Sequence, residues 1–171
     1  MRESNNTIYL LNIALINAEY VRVICVKYRT HDMEIKEILN PKGWMIGLGV
    51  IVILAALGNI AGAETVAEDA WGEDNIMGNE AAYEEMWGLH LIPLGVMAIA
   101  TGVFVKGKAL SQMAMTASAG IVVVIGGGMG FMTQRHDYGT GGGAATIIPL
   151  IMMGLVILLG VSGYMHKDGD E

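Results

Sequence analysis

The sequence predicts an all-α integral membrane protein: four transmembrane helices in a small bundle, with both ends of the chain on the cytoplasmic side (N-in/C-in). Three observations carry that reading. Apolar residues gather into four uncharged blocks, each close to the ~20 residues needed to cross a hydrocarbon core. Charged residues are only 16% of the chain against 53% hydrophobic ones, and they lie between the blocks. Nine of the ten Lys and Arg fall in alternate connecting segments, which orients the chain by the positive-inside rule.

Residues 1–42 read as a cytoplasmic N-terminal segment holding Arg2, Arg22, Lys27, Arg29, Lys36 and Lys42. Within it Ile8 to Ile16 is apolar but far too short to span, and suits an interfacial helix or a short strand. The sequon Asn5-Asn6-Thr7 falls on the wrong face for glycosylation. Met33 opens a lysine-bearing stretch that would make a natural start, so residues 1–32 read equally well as an over-long gene start.

Residues 43–165 form the bundle. Gly43 to Ala63 is the first spanning block, with Trp44 at its interfacial end. Its close, Ala61-Gly62-Ala63 before Glu64, has the small-x-small form of a signal-peptidase site. Two readings follow: a retained helix, favoured by the GxxxG spacing of Gly58 and Gly62, or a cleaved leader that leaves three spans. An external acidic loop, 64–86, then carries eight carboxylates and no Lys or Arg.

The second block, Trp87 to Val105, organises the rest. Gly88, Gly95 and Gly102 recur every seven residues, close to one helical stripe, and predict a packing face. His90 is the one histidine inside any apolar block, and Pro93 removes a helical hydrogen bond nearby. Lys106 and Lys108 mark a tight inner connection. The third block, Ala109 to Gln134, ends in Gly126-Gly127-Gly128-Met129-Gly130; Gly126 and Gly130 are expected to serve close helix packing. This run is no phosphate loop, because it lacks the Gly-Lys-Ser/Thr ending. Arg135 to Gly143 is a glycine-rich outer loop, Ala144 to Tyr164 the fourth block, and 166–171 a cytoplasmic tail.

The net charge of −7 and the lack of a basic stripe exclude nucleic acid as a partner. Cys25 is the single cysteine, so an internal disulfide and cysteine-held metal or iron–sulfur sites are excluded as well. The blocks contain no Asp, Glu, Lys or Arg to line a path, which weakens a channel or carrier.

Chemistry, if present, concentrates on the outer face. His90 and His136, with Asp137, Glu84 and Glu85, supply donor types that suit a copper, zinc or iron ion. Haem b fits less well, because His90 and His136 sit at different depths. The expected partners are the lipid bilayer and other transmembrane subunits, in a multi-pass protein of the cell membrane. The expected role is an accessory or structural subunit of a larger complex, for example a respiratory or membrane copper monooxygenase assembly. The alternative is a small redox or metal-binding membrane protein that uses His90 and His136.

Overall fold

The structure, a computed structural model, describes residues 35–72, 78–139 and 143–169. The chain divides into two compact units, Met1–Ile38 and Leu39–Glu171, and helices α1 to α6 below belong to the second. The Ile8–Ile16 run, the sequon, the Met33 start and Cys25 all lie outside the described residues.

The described residues are helical, with no strand among them. Helix α1 runs Pro41–Ala61, α2 Ala63–Trp71 and α3 Glu80–Phe104. Helix α4, Gly107–Gly120, passes through a π-helical stretch, Ile121–Gly126, into α5, Gly127–His136; α6 is Gly143–Met165. Four helical stretches are long and apolar enough to cross a membrane: Ile35–Ala61, Glu80–Phe104, Gly107–His136 and Thr146–Met165. Leu54, Leu94, Met97, Val124 and Leu150 project outward from them. So broad an apolar surface suits a lipid solvent.

Local chemistry explains the boundaries. Pro41 occupies the first turn of α1, where its missing N–H is no loss, and the Asn40 Oδ1 accepts from the Lys42 N–H at 2.9 Å. Gly62 leaves helical geometry at φ −114° and breaks the chain between α1 and α2. Residues 64–71, expected as part of the outer loop, are instead helical because Ala63, Ala67 and Ala70 recur at helical spacing and are buried. Glu64 and Glu68 face outward. Helix α3 begins one to two turns earlier than the apolar block and runs on through Pro93. Ile121 to Ile125 is an unbroken β-branched run; such residues are poor at holding a tight helical turn, and the helix widens there.

Two antiparallel helix pairs make the bundle, α1 with α3 and α4 with α6. In the first pair the predicted glycine stripe is the contact. A β-carbon at Gly88 would stand 2.9 Å from the Ala56 carbonyl oxygen, and one at Gly95 2.7 Å from that of Gly49. At Gly102 it would stand 3.2 Å from that of Lys42. In the second pair serine hydroxyls replace the glycines as ties. Ser118 Oγ donates to the Val156 carbonyl and Ser111 Oγ to that of His166, both at 2.8 Å. Gly160 and Gly163 make room for those two serines. Met45, Leu48, Leu110, Ala114 and Leu159 form the apolar core where the pairs meet.

Other glycines make no such contact within the bundle. Among the described residues, Gly58 and Gly130 have nothing within 4 Å of a β-carbon position. Gly126 meets only the end of the Met153 side chain. The packing glycine of α1 is Gly49, because it alone on that helix faces the α3 stripe closely.

Candidate functional site

The glycine stripe of α3, continued one turn toward its N-terminus, passes through Glu84. Gly88 lets α1 come close enough for Asn59 to reach past it. The Asn59 Nδ2 donates to the Glu84 main-chain oxygen at 2.7 Å and lies 3.5 Å from Oε2. Trp71, at the end of α2, donates Nε1–H to Oε1 at 3.3 Å. Tyr138 follows α5 and donates its hydroxyl to the same oxygen at 3.1 Å. Glu84 is only 3% exposed, and its partners are neutral donors.

The surrounding contacts hold those donors in place. The Trp71 and Tyr138 rings meet edge to face, with centroids 5.0 Å apart. The Gly139 N–H donates to the Ala70 carbonyl at 2.7 Å, tying the turn after α5 to α2. The Thr146 hydroxyl donates to the Gly139 carbonyl at 2.7 Å, and Thr133 Oγ1 lies 2.8 Å from the Tyr138 carbonyl. Asp137 supports the turn in a left-handed conformation at φ 54°, which short polar side chains tolerate. Burial raises the Tyr138 pKa, and the Glu84 charge and hydrogen bond raise it further. Tyr138 therefore stays neutral and keeps the proton it donates.

One carboxylate thus joins α1, α2, α3 and the turn before α6. Hydrogen bonds to an ionised group contribute more than neutral ones, roughly 1.5–3 kcal/mol each. The arrangement can hold a buried negative charge and fix four segments around it. Glu80, one turn away and also buried, accepts from the Gly78 and Asn79 N–H groups at 2.8 and 3.0 Å.

The structure separates the residues that the sequence groups together. Glu84 points into the bundle, whereas Glu85, His90, His136 and Asp137 are exposed. The His90 Nδ1 lies 2.6 Å from the Met86 carbonyl, one turn back on its own helix. Among the described residues no three His, Cys, Asp or Glu side chains stand close enough together to hold a metal ion. A metal at His90 or His136 would need ligands from outside these residues.

No protein-family model matches the chain, and neither does any curated protein or solved structure. Function therefore rests on the geometry alone.

Sequence reasoning missed Asn59, Trp71 and Tyr138. One signal was legible: Asn59 is the only side-chain amide in the first apolar block. A side-chain amide inside an apolar helix needs a partner. No spacing rule ties Trp71 or Tyr138 to Glu84, because both arrive through turns.

Proposed function

We propose that the protein is an accessory, structural subunit of a larger membrane assembly, with both ends cytoplasmic and Gly107–His136 facing its partners. One observation carries this reading. In that long helix only 6% of the most apolar stretch is buried, against 22% in the first and fourth spans. Yet the helix is rich in glycines that meet nothing among the described residues: Gly120, Gly127, Gly128 and Gly130 have open space at the β-carbon position. A helix surrounded only by lipid gains nothing from bare backbone, whereas small residues let a second helix approach in a medium without a hydrophobic drive. Val123 and Val124, each 71% exposed, would supply the apolar contacts beside them. The positive-inside distribution supports the orientation.

The test substitutes each of these glycines by leucine in the native membrane. Leucine favours an exposed helix over glycine by up to about 1 kcal/mol, so the isolated chain should be as stable as the parent or more so. Partners should be lost from at least one variant on purification in mild detergent. Retention of the same co-purifying subunits by Gly120→Leu, Gly127→Leu, Gly128→Leu and Gly130→Leu would refute the reading.

A further inference from the structure

We infer that α1 is a permanent part of the folded protein and that Ala63–Glu64 is not a processing site, despite the cleavage-like Ala61-Gly62-Ala63. The inference comes from register. On α1 the carbonyls of Lys42, Gly49 and Ala56 recur every seven residues, and so do the side chains of Ile46, Ile53 and Ile60. On α3 their counterparts Gly102, Gly95 and Gly88 recur every seven residues in the opposite direction. β-carbons at Gly102, Gly95 and Gly88 would stand 2.8, 2.6 and 2.7 Å from the Cγ1 atoms of Ile46, Ile53 and Ile60. Matching seven-residue repeats on both partners are what two helices supercoiled left-handedly require. A targeting leader needs an apolar run and a cleavable end, and has no use for such a register.

The polar and apolar contacts agree. Asn59 of α1 donates to the buried Glu84, and Met45 and Leu48 of α1 complete the core with Leu110, Ala114 and Leu159. Removing α1 would strip one donor from a buried carboxylate and leave three glycines of α3 facing lipid. The bond itself lies in ordered helical structure. Ala63 is 5% exposed and opens α2, and the backbone is hydrogen-bonded on both sides, from Gly62 N–H to the Gly58 oxygen and from Val66 N–H to that of Gly62.

The experiment is the intact mass of the full chain, tagged after Glu171 and purified from membranes in mild detergent. The expected species contains Gly43 to Ala63, wherever its N-terminus lies upstream. A major species beginning at Glu64 overturns the inference. A second measurement compares Gly49→Leu with Gly58→Leu. Only the first crowds α3, with Ile99 Cγ1 2.6 Å and the Gly95 oxygen 2.7 Å from the new β-carbon. It should lower the thermal midpoint well below that of Gly58→Leu. Equal midpoints would mean that α1 does not pack on α3 in the mature protein. The result is independent of the proposed partner-facing helix, whose glycines are not involved.

Discussion

Gly95 and Gly49 approach so closely that a β-carbon on either would stand 2.7 Å from the carbonyl oxygen of the other. This reciprocal contact lies at the middle of the α1–α3 seam. It leaves that seam little tolerance for a larger residue, because a backbone carbonyl cannot swing aside as a long side chain can.

Gly95→Ala is therefore expected to destabilise the protein by about 1–3 kcal/mol, the usual range for forced overpacking. Gly47→Ala, on the same pair but with open space at its β-carbon, should be neutral or stabilising by up to about 1 kcal/mol. Thermal unfolding in one detergent compares the two. A Gly95→Ala protein as stable as Gly47→Ala would show that the helices stand farther apart.

Glu84→Leu should be more damaging than Glu84→Gln. Glutamine keeps an oxygen for Trp71 and Tyr138, but it loses the strengthening that the charge provides and turns an amide nitrogen toward the Asn59 donor. Leucine strands the donors, and each unsatisfied buried group costs about 1–3 kcal/mol. Unfolding followed by tryptophan emission should rank the parent first, the glutamine variant second and the leucine variant last. Similar midpoints for the two substitutions would mean that the carboxylate is not the hub.

Tyr138 should ionise later than an ordinary phenol, whose pKa is about 10. Its folded pKa is raised, first by burial and then by Glu84. Folding therefore favours the protonated form, and the associated stability is complete below the unfolded value and lost as pH rises through the folded one. In an absorbance titration of the folded protein, Tyr138→Phe should remove a late-ionising component and leave the early ones unchanged. Loss of an early component instead would contradict the buried contact with Glu84.

Ser118 and Ser162 make an opposed pair. Ser118 Oγ donates to the Val156 carbonyl, whereas Ser162 Oγ is buried without a hydrogen-bond partner. Ser118→Ala should lower stability by about 1 kcal/mol, and Ser162→Ala should raise it, because it removes a desolvated hydroxyl that gains nothing in return. Thermal midpoints decide. A loss at Ser162 comparable to that at Ser118 would show that its hydroxyl is satisfied.

His90 and His136 carry the metal reading. Both are exposed on the described surface, so His90→Ala should change the stability of the isolated chain by no more than about 0.5 kcal/mol. Any copper, zinc or iron they hold should appear only in the intact assembly, with partner ligands. Elemental analysis of the isolated chain and of the assembly checks this. A metal bound stoichiometrically by the isolated chain and lost in His90→Ala would establish an intrachain centre.

The sequence by itself determined the helical class, the four apolar spans and the seven-residue stripe of Gly88, Gly95 and Gly102. These follow from local quantities: the length of an uncharged run, and the angle by which each residue advances around a helix. Gly130 and Gly58 looked equally suited to packing, yet meet no other helix among the described residues, because spacing shows which residues share a face and not what that face meets. The long helix's π stretch adds to this by rotating the residues beyond it relative to an unbroken helix.

Only the tertiary structure decided that Glu84 is an interior residue joined to Asn59, Trp71 and Tyr138 while Glu85, next to it, is exposed. Those donors come from segments up to 54 positions away, delivered by the break at Gly62 and the left-handed turn at Asp137. Short-range preference sets each of those turns, but the direction in which it sends the chain is fixed by packing. An acidic stretch therefore read as solvated loop, whereas the fold draws one of its carboxylates into the bundle to hold four segments together.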